Sequence, residues 1–197
     1  MVAAVSVLWC GPVGAGGDDP AGLEQYRRAN VLPAEEIAPV APEVREAHLA
    51  ALAVFDEAVA SKDPKHPGYK KAREGWEPLA AAGDPASTYH FGMLHLFGLG
   101  GASFDQLEAV LMIGKAAEHR YPAAQTFMGL LAERGDGLMV AVDQELALEW
   151  YTYGALGGHC AAVRRLVRAY EQAELGVVAD AGKADEWRAR LDGCRKR

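Results

Sequence analysis

Residues 123–158 read AAQTFMGLLAERGDGLMVAVDQELALEWYTYGALGG, and the parsing of this stretch decides the fold. An alanine-rich opening runs through Met128-Gly129 to a turn at Gly135-Asp136-Gly137, and Asp143 then begins a second apolar stretch that closes at Gly157-Gly158. Counted from Ala147, the residues at i+3, i+4, i+7 and i+8 are Trp150, Tyr151, Gly154 and Ala155. Those offsets trace one face of an α-helix. Working outward, Ala72, Ala109, Ala147 and Ala184 recur at spacings of 37, 38 and 37 residues, each followed by bulky residues at Trp76, Met112-Ile113, Trp150-Tyr151 and Trp187. A helix repeated at such a period cannot bury its apolar face alone and must stack on its neighbours. The pattern predicts an α-solenoid, an architecture that presents surfaces rather than a reaction.

The helix-start signals repeat as well. Asp84-Pro85-Ala86, Tyr121-Pro122-Ala123 and His159-Cys160-Ala161 each open a helix, and Asp105, Asp143 and Asp180 cap the second helix of each pair. Asp105 and Glu108 have the spacing of a capping box. Phe91-Gly92 and Met128-Gly129 hold equivalent places, with Leu166-Val167 in the last copy. A helical glycine costs roughly 1 kcal/mol against alanine, so its repetition predicts close crossing by another helix. Upstream, Pro42 to Ser61 reads as a helix, and Lys62 to Tyr69, with two prolines and a glycine, as a loop. A short helix over Ala21–Ala29 is a further option within a Pro-rich lead-in, residues 18–42.

With 197 residues, 50 % apolar and 24 % charged, the chain has the composition of an ordinary globular protein. Its net charge of −7 argues against general nucleic-acid binding. The charge is uneven: residues 160–197 hold 9 Lys/Arg against 6 Asp/Glu and the rest of the chain is acidic. Residues 1–17 stand apart. Val2 to Trp9 is an uncharged apolar run and Val13-Gly14-Ala15 ends in small residues, like the core and cleavage region of a secretory signal. No basic residue precedes it, and the run is too short to span a bilayer stably. Two readings stay open: export to the periplasm or beyond, and a Gly-rich leader on a cytoplasmic protein.

The order alanine-rich helix, Met-Gly, Gly-x-Gly turn, aspartate, alanine, Trp-Tyr, alanine and closing glycine resembles the Sel-1-like repeat, a relative of the tetratricopeptide repeat. Its best copy runs through Gly129, Gly135, Gly137, Asp143, Ala147, Trp150, Tyr151, Ala155 and Gly158. Val167 and Arg188 depart from the pattern in the last copy, as a capping repeat does. The resemblance implies an all-α, short right-handed α-solenoid of antiparallel helix pairs: three clear repeats, about 84–121, 122–158 and 159–194, after a divergent pair over about 43–83. It implies a non-catalytic adaptor or scaffold that binds a protein or peptide partner.

In related solenoids the first helix of each pair lines a concave side. Setting Gly92 at zero and turning roughly 100° per residue, Tyr89, Met93 and Leu96 fall on the flank away from Phe91 and His95. The equivalent residues are Thr126, Leu130 and Glu133, then Arg164, Arg168 and Glu171. These nine residues form the expected partner groove, apolar at one end and basic at the other, suited to a peptide with an apolar anchor and a carboxylate. The competing reading has Tyr89 and Met93 packed on a neighbour and the arginines merely solvated.

Cys160 opens the first helix of the last pair and Cys194 ends its second, ends that lie side by side in an antiparallel hairpin. A Cys160–Cys194 disulfide is therefore feasible in an exported protein, and two free thiols in a reducing one. Cysteine-rich relatives of the repeat staple hairpins in this way. Six histidines are scattered with no metal spacing, and neither a metal nor a cofactor is expected. No nucleophile elbow, phosphate loop or zinc-protease pair is present, and Ser6, Ser61, Ser87 and Ser103 have no base partner in sequence. A hydrolase is the remotest option. A cell-envelope module that binds glycan or peptidoglycan would need Trp76, Trp150 and Trp187 at the surface, whereas their repeat positions assign them to the core.

Overall fold

The computed structural model describes residues 39–135 and 140–194, the side chains of 192–194 excepted. The leader, the lead-in up to residue 38, the Ala21–Ala29 helix and the Asp136-Gly137 half of one turn lie outside the described residues. Among those described there are eight helices and no strand: α1 Pro42–Ser61, α2 Pro67–Ala81, α3 Pro85–Phe97, α4 Gln106–Glu118, α5 Pro122–Arg134, α6 Gln144–Leu156, α7 Cys160–Gln172 and α8 Ala181–Cys194. Each packs on the helix before it in chain order, so the all-α solenoid of helix pairs stands. One boundary moves: the loop after α1 ends at His66, because Pro67 takes the first helical position and the His66 ring accepts the Gly68 N–H at 3.1 Å.

Local chemistry sets the starts. Asp84, Asp105, Asp143 and Asp180 side chains accept the N–H of Ser87, Glu108, Leu146 and Lys183 at 2.8–3.0 Å, filling donors a helix start leaves vacant. The Asp105–Glu108 capping box is only half made. The Asp105 N–H, which Glu108 would have bonded, instead donates to the His95 carbonyl at 3.3 Å. That substitution is itself periodic: Asp143 N–H donates to Ala132 O at 2.8 Å and Asp180 N–H to Tyr170 O at 2.9 Å. Every later pair thus ties the start of its second helix to the end of its first.

The turns between pairs repeat as strictly. Asp84, Tyr121 and His159 N–H donate to Leu79, Ala116 and Gly154 O at 2.9–3.0 Å, the long bond of a Schellman turn. The residue before each has a left-handed backbone: Gly83 at φ 89°, Arg120 at 61° and Gly158 at 88°.

Packing follows from the small residues. A Cβ on Gly92 would sit 3.2 Å from the Ala109 carbonyl oxygen and the Ile113 and Met112 side chains, and one on Gly129 2.9 Å from the Tyr151 ring. These are the helix crossings that the repeated glycine predicts. Trp76 and Trp150 are fully buried, Trp76 in a first cluster with Ala51, Tyr69, Ala72 and Leu94, Trp150 in a larger one running from Leu96 to Leu175. Helix α3 divides the two, with Leu94 in one and Leu96 in the other. Trp187 packs on the larger cluster only partly buried.

Candidate functional site

The nine groove residues do not form one open surface. Leu96 is only 4 % exposed and belongs to the core. The reason is geometric: it lies four residues beyond Gly92, on the side where α4 crosses, and residues four apart share a helix side. Tyr89, Met93 and Leu130 are partly buried against the same cluster, and the Tyr89 ring lies tilted against Tyr121 at 5.3 Å between ring centres. Burial and neighbouring Tyr121 raise the Tyr89 phenol far above its usual range. Thr126 donates to Pro122 O at 2.8 Å and meets His159 Nδ1 at 2.7 Å. The apolar end of the expected groove is therefore interior packing.

Glu133 also faces inward. It is four residues from Gly129, and as Gly129 lies against the Tyr151 ring, Glu133 receives the Tyr151 hydroxyl at 2.8 Å. Arg165, from α7, grips it with two bonds of 2.9 Å and reaches Glu174 at 2.8 Å. Burial pushes the Glu133 carboxyl up, but the bonds from Arg165 and Tyr151 outweigh it and hold the carboxyl below its ordinary range. Such a bidentate, half-buried pair joins the third helix pair to the fourth. The helical wheel singled out Arg164 and Arg168 and missed Arg165 between them; the signal for it was a charge at a core-facing position.

Only the last pair's flank stays open. Arg164, Arg168 and Glu171 are exposed. Arg168 pairs with Glu174 at 2.7 Å, and Glu171 pairs with Arg188.

A second polar cluster sits between the first two pairs. His48 Nδ1 lies 3.0 Å from Ser87 Oγ and 3.9 Å from Asp84 Oδ2, so folding supplies Ser87 with the base partner its sequence lacked. The geometry does not suit a nucleophile. Serine and carboxylate both face one ring nitrogen, whereas a relay uses the two opposite nitrogens, and Ser87 has no solvent exposure. His90 stacks on Trp76 at 4.7 Å, with His48 at 5.4 Å and the Tyr121 hydroxyl 3.4 Å from Nε2. Burial, then the nearby His48, holds His90 down to about 3. Burial lowers His48 too, opposed by Asp84, and lowers His159 with help from Arg164. Burial and Asp84 push Tyr121 up to about 12. These neutral rings lock helix pairs together.

Cys160 is disulfide-bonded, and its partner lies outside the described side chains. Among the described residues no group of three His, Cys, Asp or Glu could hold a metal, and no helix is long and apolar enough to cross a membrane.

Neither a family profile nor a curated protein matches the sequence. Among solved structures, the chain is similar to the crystal structure of a Sel1 repeat protein from Oxalobacter formigenes, at 26 % identity and a TM-score of 0.59, over 77 % of this chain and 60 % of that one. It is also similar to c5321, a protective antigen present in uropathogenic Escherichia coli strains and displaying an SLR fold. That likeness has 24 % identity and a TM-score of 0.57 over 88 % of this chain and 33 % of that one, and bears on the fold alone. The chain spans less than two thirds of either protein's length.

Proposed function

We propose, starting from the stacked helix pairs and their likeness to a Sel1 repeat protein, that this chain is a non-catalytic scaffold holding a protein or peptide partner. One observation carries the reading. The polar groups inside the stack are spent on joining helix pairs, as in Glu133–Arg165–Glu174 and His48–Ser87, while the last pair turns Arg164 and Arg168 outward. A partner carboxylate would meet Arg164 directly and compete with Glu174 for Arg168. The tryptophans that a glycan-binding module would use are out of reach at Trp76 and Trp150. The test is the double substitution Arg164→Glu/Arg168→Glu, with capture of the native partner from its own cells as readout. Loss of the partner with an unchanged helical spectrum is expected; undiminished recovery would remove the flank from the reading.

The same proposal places the protein in the periplasm or outside the cell. The apolar Val2–Trp9 run and the oxidised state of Cys160 support it. Cys194 is the proposed partner, since it closes α8 while Cys160 opens α7, the helix packed against it. Mass mapping of the unreduced protein is expected to yield a Cys160–Cys194 linked peptide, and two free thiols would dismiss the bridge.

A further inference from the structure

The turns inside the helix pairs all fall on one edge of the stack, because successive helices alternate in direction. Three of these turns end in the same way, with an exposed apolar residue one or two places before the capping aspartate. Phe104 is 73 % exposed ahead of Asp105, Val142 is 61 % exposed ahead of Asp143, and Val178 is 85 % exposed ahead of Asp180. Leu107, on the first turn of α4, adds to Phe104 with 42 % exposure. Single exposed apolar residues are normal on a protein surface. A row that recurs once per helix pair, at spacings of 38 and 36 residues, is a pattern of a different kind, since exposed apolar surface that lines up marks contact sites.

The charge around the row is acidic. Exposed Asp105, Glu108, Asp143 and Glu145 flank it on the second and third pairs, and half-buried Asp180 on the last. Each capping aspartate spends one carboxylate oxygen on its helix. The cations at these turns are Arg134, Lys183 and Arg73, which donates to the Gly100 carbonyl and pairs with Glu77, three against the five acids. The chain's net charge of −7 deepens the same field.

We infer that this turn edge docks a cationic, amphipathic segment of a partner protein, its apolar side chains set on Phe104, Val142 and Val178 and its Lys or Arg residues facing the aspartates. The inference rests on the scaffold reading and gives it a second surface, away from the Arg164–Arg168 flank and of opposite charge.

The probe is a fluorescently labelled amphipathic peptide of leucine and lysine, with a leucine and glutamate counterpart, each followed by anisotropy against the full chain. The Leu/Lys peptide binds, more weakly as salt rises, and the Leu/Glu peptide does not. The triple variant F104S/V142S/V178S keeps every charge and binds at least tenfold more weakly. The control L49S/L156S, which removes exposed apolar residues elsewhere, binds as the parent does. Equal binding by the triple variant would show that charge alone holds the peptide, and equal loss in the control would show that any apolar surface serves; either result overturns the inference. So would concentration-dependent self-association by light scattering that the triple variant abolishes, since the occupant would then be a second copy of the chain. If the triple variant loses helix content, F104S alone carries the test, with a weakening of about threefold expected and no change overturning it. Native-partner capture reports separately: its failure in the parent protein sinks the scaffold reading, whereas capture with an unaffected triple variant sinks only this edge.

Discussion

His90 makes the stability of this solenoid depend on pH in a way that can be calculated. Its ring is packed between Trp76, His48, Phe55, Tyr89 and Tyr121, and burial holds its pKa at about 3 against 6.5 in the unfolded chain. A depressed histidine binds its proton only after unfolding, so between those two values the unfolded state holds more protons and stability rises with pH. The contribution is complete above pH 6.5 and is lost as pH falls towards 3. At pH 5 the unfolded chain is favoured about 30-fold by this group, or about 2 kcal/mol. That is a large share of the total for a domain of this size. The perturbation is His90→Phe, which keeps a ring on Trp76 and cannot titrate. The assay is urea unfolding followed by tryptophan fluorescence at pH 7.5 and pH 5, for parent and variant. His48, His159 and the carboxylates are present in both proteins, so the difference between the two pH differences reports His90 together with its coupling to His48. The parent is expected to lose about 2 kcal/mol more than the variant on acidification. Equal losses would refute the reasoning, because a ring that already binds its proton in the folded state contributes no such term.

Three further outcomes follow from the packing. Gly129→Ala gains about 1 kcal/mol of helix propensity, yet its methyl would press 2.9 Å from a Tyr151 ring tied to Glu133. A net loss of about 1–2 kcal/mol, seen as a melting point lower by several degrees, is expected. Ala173 ends α7 in a left-handed conformation at φ 54°, which costs a residue with a Cβ about 1 kcal/mol; Ala173→Gly is expected to raise the melting temperature by a few degrees. Glu133→Gln breaks the charge pairing under Arg165 and is expected to cost about 2 kcal/mol in urea unfolding, with Glu133→Gln/Arg165→Met recovering part of it if the penalty is an uncompensated charge.

Much of this architecture was legible before folding, and the elements show why. Pro42, Pro85 and Pro122 mark helix starts because a proline fits the first helical position. Asp84, Asp105, Asp143 and Asp180 mark caps because the bond they make spans three residues. Gly92 and Gly129 announced crossings because only a missing Cβ permits the approach. The groove was less legible. A helical wheel shows which residues share a side, but which side is covered depends on where the next helix lies. Leu96 and Glu133 went inward because they are one turn beyond the crossing glycines. Arg165 came inward because Glu133, 32 residues away, was there to receive it.

The linear chain on its own determined where helices begin, end and repeat, since those depend on bonds between residues a few places apart. Tertiary structure alone decided which surfaces stay open. Whether Ser87 meets His48, whether Trp76 covers His90 and whether Phe104, Val142 and Val178 share one edge are questions of contact across 14 to 39 residues or of a common direction. Such relations exist only once the helices have stacked and excluded water between them.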